Sequence, residues 1–151
     1  LAIIKAHAAL PDAPDLIMLG DGPLMAEARA LAGENVHFKG WCADPWREMT
    51  REDILVTPSS WEGLPYMVLE TLDRAVSIIA SDIAGHRAAL DGGAYGAIFP
   101  LGDHDALVAA ISEALANPAP LRDKAREGQK TVEARFGPHA FWQRLSRELS
   151  R

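Results

Sequence analysis

Apolar positions along the chain fall into short continuous runs, each closed by a turn residue and separated from the next by a stretch of helical period. Residues 15–20 (DLIMLG) form the first run, a buried-strand pattern ending in glycine. Residues 36–40 (VHFKG), 53–58 (DILVTP), 77–81 (SIIAS) and 97–101 repeat it. Between the runs, residues 24–31, 44–50, 66–73 and 85–90 read as helices. Asp44 caps the second of these and Pro45 takes its first position. Asp103 caps a longer helix to position 116, with Leu107, Ile111 and Leu115 as its apolar stripe. Ahead of the first strand, Leu1, Ile3, Ile4, Ala8 and Leu10 share an apolar helical face with no capping residue before it. That helix reads as beginning upstream, and the chain as an excerpt. Residues 121–136 and 138–151 are two further helices with no strand between them. Phe141, Leu145 and Leu149 make the last one a docking element.

Five strands separated by helices imply crossover connections and a parallel sheet with helices on both faces, the α/β Rossmann-like class. Such sheets bind ligands outside the carboxyl ends of their strands. Chemistry is therefore expected at the tips after Gly20, Gly40, Pro58 and Ser81. Composition narrows the classes. The chain has 151 residues, about one domain, and 48% hydrophobic residues, enough for a core. A net charge of −6 argues against a nucleic-acid binder. No apolar run is long enough to span a bilayer. The single cysteine, Cys42, leaves no internal disulfide and no credible zinc site. A reducing, cytoplasmic setting fits this usage, and the inner face of the membrane stays open.

The third tip is the richest, reading SSWEGLPYMVLE over residues 59–70. Glu62 precedes a helix start, and Glu70 is read as roughly two turns inside that helix. Gly63 lets the backbone approach a ligand. The N–H groups of Gly63, Leu64 and Tyr66 are expected to face an anion, and Pro65, lacking an N–H, fits the first turn. A carboxylate beside such a turn can accept hydrogen bonds from sugar hydroxyls, and a second one can hold a ribose. The plain alternative is that Glu62 caps the helix and Glu70 is solvated. Elsewhere, Gly20-Asp21-Gly22-Pro23 lacks the third glycine of a dinucleotide fingerprint. His37 reads as a strand-face residue. His86 reads as a helix-start residue, with an approach to phosphates as the alternative. Asp103-His104-Asp105 reads as capping rather than as a metal triplet. Trp41, Trp46 and Trp61 are candidates to stack on a base or sugar, but at least two are expected to pack.

The segment at 59–70 resembles the E-x7-E signature of glycosyltransferase family 4, retaining enzymes of the GT-B fold. The likeness extends to the turn LGDGPL at 19–24, the strand NVHFKGW at 35–41, the strand DILVTPS at 53–59 and the turn IASDIAG at 79–85. It covers residues 1–136 in order. It implies that residues 1–136 are a nucleotide-sugar-binding domain and 137–151 a docking helix. It also implies a hexosyltransferase that moves sugar from a nucleotide diphosphate donor to a glycan or lipid-linked acceptor of the cell envelope. Glu62 would be the catalytic residue, holding hydroxyls of the donor hexose, and Glu70 would bind the ribose. Gly63, Leu64, Pro65 and Tyr66 would border the sugar or diphosphate. Gly20 and Gly22, with Gly40 and Trp41, would complete the donor site. No metal or other cofactor would be required, and a UDP-sugar is favoured.

The partners implied are the nucleotide-sugar donor and a missing amino-terminal acceptor domain, through which the protein would touch the membrane. The family's diphosphate-binding Arg and Lys would lie upstream of Leu1, so this piece alone should be inactive. The strand order of the family, 3-2-1-4-5-6, places the strand carrying them between the strands at 15–20 and 53–58. The expectation is a gap between those two, or some other occupant. The chain departs from the family at Ala75 and Ser77, where Gly and Pro are usual, which puts the geometry of that turn in question. Rival readings are a GT-B sugar phosphorylase or UDP-sugar 2-epimerase, and a non-enzymatic flavodoxin-like binding module.

Overall fold

A computed structural model describes residues 1–137. The expected helix at 138–151, with Phe141, Leu145 and Leu149, lies outside the described residues. The order of elements is α1 (Ala2–Ala8), β1 (Leu16–Leu19), α2 (Met25–Leu31), β2 (Val36–Gly40), β3 (Ile54–Thr57), α3 (Tyr66–Asp73), β4 (Ser77–Ser81), α4 (Ala84–Ala89), β5 (Ala97–Phe99), α5 (His104–Ala116) and α6 (Ala119–Phe136). Single 3-10 turns at Pro45–Arg47 and Asp91–Gly93 interrupt the loops.

The run SIIAS becomes the central strand because it is apolar on both sides. All five residues of β4 are buried, and β4 pairs in parallel with β3 on one edge and β5 on the other. Its side chains point alternately to two layers. Ile79 packs with Ala6 and Leu10 beside α1 and with Leu107, Ile111 and Ala114 of α5. Ile78 and Ala80 pack with Val68, Leu69 and Leu72 of α3, Ala89 of α4 and Val132 of α6. This covering of both faces is what a continuous apolar strand requires. Gly128 lets α6 approach α3 closely, since a Cβ there would stand 2.7 Å from Leu72 Cδ2 and 2.9 Å from Tyr95 Cβ.

β1 and β2 form a separate parallel ladder, with Leu16 opposite Val36 and Leu19 opposite Gly40. β1 and β3 do not pair. A largely apolar groove of about 240 Å³ lies between them instead. Leu16, Ile17 and Leu19 line it from β1, Ile54 and Val56 from β3, and Leu115 from α5. The gap expected from the strand order is present.

Several boundaries differ from the sequence reading. The helix at 44–50 shrinks to Pro45–Arg47, with the Asp44 carboxylate accepting from the Trp46 N–H at 3.3 Å. The last strand stops at Phe99, because Pro100 has no N–H to continue the ladder. In α1 the buried positions are Ile4, Ala6 and His7, whereas Ala8 is exposed. His7 is accommodated by a 2.6 Å hydrogen bond between its Nε2 and the Pro14 carbonyl. Leu1 offers no side-chain cap to α1, as the sequence shows. Ala75 takes the left-handed conformation, φ 54°, in the turn between α3 and β4. A glycine would occupy that conformation without strain.

Candidate functional site at the strand tips

The tips of β1 and β2 meet directly. The Gly20 N–H donates to the Gly40 carbonyl at 2.6 Å, and both glycines have positive φ, 105° and 69°. The Gly22 N–H is taken by the Asp21 carboxylate at 2.8 Å. Trp41, next in line, leaves 80% of its surface in solvent.

The tip after β3 is built on β4 and α4. Gly85 carries no side chain where the chain passes closest: a Cβ there would lie 2.5 Å from the Glu62 carbonyl oxygen. The backbone of Glu62 therefore rests on the start of α4, and its side chain belongs to a half-buried residue. One turn earlier, the Ser59 carbonyl accepts from Ser81 Oγ at 2.5 Å. His86 is fully buried and its Nδ1 lies 2.9 Å from the Ser81 carbonyl. Beyond Glu62, Trp61, Leu64, Tyr66 and Met67 are exposed. α3 begins at Tyr66, as read, and Pro65 is its N-cap, one position ahead of the first turn. The Tyr66 N–H is not free for an anion, because it donates to the Leu64 carbonyl at 2.9 Å. Among the described residues no hydrogen bond uses the N–H of Gly63 or Leu64. Glu70 is exposed and is the fifth residue of α3, little more than one turn in rather than two.

Arg87 forks onto both carboxylate oxygens of Asp82, across the turn from β4 to α4. That hydrogen bonding, reinforced by the charge of Arg87, holds the Asp82 carboxyl below the usual carboxylate range. Lys39 at the second tip pairs with Glu48 at 3.5 Å. Lys39 and Arg87 are thus already engaged, whereas Lys5 of α1 lines a pocket with Pro58 at the third tip.

The structure joins Gly20 to Gly40, and Glu62 to Gly85. None of the residues 20–22, 40–41 or 62–70 lines the groove between β1 and β3. His86 does not reach toward a ligand in solvent, because it is buried. His37 is on the strand face as expected, 3.0 Å from Asp15. Asp103 caps α5 by accepting from the Ala106 N–H at 2.9 Å. Of the three tryptophans only Trp46 packs, beneath the Arg74 guanidinium at 4.0 Å, so the expectation of at least two packed tryptophans is corrected. The sequence reading missed Ser81 as the group that holds the third tip. Its only signal was a polar residue closing an otherwise apolar run.

The chain belongs to the family described as glycosyl transferases group 1, whose model matches residues 2–117. It is 28% identical over 108 residues to the UDP-Gal:alpha-D-GlcNAc-diphosphoundecaprenol alpha-1,3-galactosyltransferase of Escherichia coli, covering 68% of this chain and 28% of that protein. It is 27% identical over 144 residues to the lipopolysaccharide core biosynthesis glycosyltransferase LpsE of Rhizobium meliloti, covering 92% and 42%. Among solved structures, sucrose-phosphate synthase from Thermosynechococcus elongatus superposes with a TM-score of 0.78 at 26% identity, covering 98% of this chain and 41% of that one. The Anabaena protein HepE, in complex with UDP and glucose, shares the fold at a TM-score of 0.85 and 20% identity, covering 99% and 44%. The chain spans less than half the length of each. No described helix is long and apolar enough to cross a membrane.

Proposed function

We propose that this chain is the donor-binding half of a retaining hexosyltransferase, which takes a nucleotide diphosphate sugar and passes the hexose to a glycan or lipid-linked acceptor. The observation that carries this reading is the turn at 59–70. Within a region matched by the family model, it presents a half-buried Glu62 and an exposed Glu70 at the carboxyl end of a parallel strand. Glu62 accepts hydrogen bonds from hydroxyls of the donor sugar and fixes it for reaction. Glu70 accepts from the ribose. The free amides of Gly63 and Leu64 border the sugar or diphosphate, and the tips at Gly20, Gly22, Gly40 and Trp41 complete the donor cleft. HepE, a structural neighbour, is described in complex with UDP-glucose, which favours a UDP-sugar here.

Basic residues from the remainder of the protein join in neutralising the diphosphate, for Lys39 and Arg87 are committed to Glu48 and Asp82. A strand from the remainder of the protein fills the groove between β1 and β3 and brings them in. Acceptor binding belongs to the same remainder.

Kinetics of the full-length protein test the assignment. Glu62→Ala should lower kcat by about 10²-fold, as loss of a positioning or charge-stabilising group does. Glu70→Ala should mainly raise the donor KM, by roughly tenfold, because its contacts are shared by ground and transition states. Unchanged kinetics in both variants would remove the donor-site reading.

A further inference from the structure

We infer that Ser81 and His86 are positioning residues of the donor site, acting on Glu62 through the backbone of the turn at 59–62. The inference rests on the donor-site reading and goes one step deeper into the same site.

Two independent contacts seat this turn on the β4–α4 junction. The first is the absence of a side chain at Gly85, against which the Glu62 backbone lies. The second is the hydrogen bond from Ser81 Oγ to the Ser59 carbonyl. A hydroxyl carries one proton, so Ser81 Oγ donates to Ser59 and is an acceptor toward everything else. His86 supplies the proton facing Ser81. Its Nδ1 lies 2.9 Å from the Ser81 carbonyl and 3.3 Å from Ser81 Oγ. A carbonyl only accepts, so Nδ1 bears the hydrogen, and the tautomer is fixed by its neighbours. The one hydrogen on Nδ1 is directed first to the Ser81 carbonyl and shared with Ser81 Oγ, which itself donates to the Ser59 carbonyl. Ser59 lies three residues before Glu62.

His86 is a costly residue for this place. It is completely buried, and its Nε2 has no hydrogen-bond partner among the described residues. An unpaired buried polar nitrogen is unfavourable. A leucine would fill the volume without that penalty. The arrangement is understandable if the Nδ1–H is what the position provides, fixing the Ser81 backbone through its carbonyl and, by the longer contact to Oγ, leaving the hydroxyl proton to Ser59. Ser81 is also fully buried, so water cannot take over this role.

The test uses the full-length protein, with UDP-glucose and UDP-galactose as donors, water as the acceptor and UDP release by donor hydrolysis as the readout, per folded enzyme. His86→Leu should lower kcat about tenfold, inside the range that misplacement of a reacting group produces, while donor KM stays within about twofold. His86→Asn, whose side-chain amide can replace the Nδ1–H, should recover most of the loss. Ser81→Ala, which removes only the hydroxyl, should reproduce the kcat defect and carries the test if the leucine variant does not fold. A purely structural role predicts lowered thermal stability with kcat unchanged in His86→Leu and Ser81→Ala, or an asparagine variant no better than leucine, and either result overturns the inference. Glu62→Ala in the same assay separates the two levels. If it loses activity and the His86 and Ser81 variants do not, only the positioning inference fails. If it too is unaffected, the donor-site reading fails with it.

Discussion

β4 and β1 carry similar sequences and meet different fates. SIIAS is buried at every position, paired on both edges and covered on both faces. LIML pairs on one edge only, and Ile17 leaves 40% of its surface exposed. β3 resembles β1 on its free edge, for all four of its residues are only partly buried. Two apolar strands facing each other across an apolar groove are not a surface that water stabilises. Their unpaired backbone groups and side chains suit a strand laid between them. The difference divides the chain into a finished half, which seats Glu62, and a half in which β1 and β3 leave their facing edges unpaired across the groove.

A charge placed in the groove should give the largest effect. Ile17→Asp in the full-length protein should destabilise by about 3–5 kcal/mol, the consequence of an unpaired buried charge. In the 151-residue chain, where the groove is open, the same change should alter stability by about 1 kcal/mol or less. Urea unfolding of both forms makes the comparison, and equal losses would mean that nothing occupies the groove. On the finished side the contrast should vanish. Ile79→Ala removes a fully buried side chain from β4 and should lower stability by about 2–4 kcal/mol in both forms.

How far the sequence reached follows the same division. Period and turn residues were enough for the helices and the five strands, because each run is bounded by Gly, Pro or Asp and is apolar on the faces that pack. The gap was foreseeable only through the family's strand order, since nothing in LIML or ILVT says which edge is free. The strand at 97–101 was overdrawn past Pro100, which has no N–H for the ladder, and the helix at 44–50 closes after a single 3-10 turn capped by Asp44. At the site, Glu62 and Glu70 stood out by spacing and neighbours. The N–H of Tyr66 was misjudged, because a local bond to Leu64 consumes it and such turns leave no pattern in the sequence. Ser81 and His86 were missed as a pair for a different reason. Their link to Ser59 spans 22 positions and exists only once β3 and β4 lie side by side.

The smallest expected effect lies in the turn that feeds β4. Ala75 is buried and left-handed, so Ala75→Gly relieves backbone strain but gives up a buried methyl. These opposing contributions are each on the order of 1 kcal/mol, and the net change in unfolding free energy should stay below about 1 kcal/mol. Ala75→Val, which cannot take that φ comfortably, should be clearly worse than glycine. A valine variant as stable as wild type would show that the turn does not hold this conformation.

Whether the tips of β1 to β4 bind a nucleotide diphosphate sugar is decided by calorimetric titration of the full-length protein with UDP, GDP and ADP. UDP should bind at least about tenfold more tightly than GDP or ADP, roughly 1.4 kcal/mol, and Glu70→Ala should weaken UDP binding by a similar factor. Tighter binding of GDP or ADP would revise the nucleotide. No binding of any of the three, or UDP binding that Glu70→Ala leaves unchanged, would contradict the account.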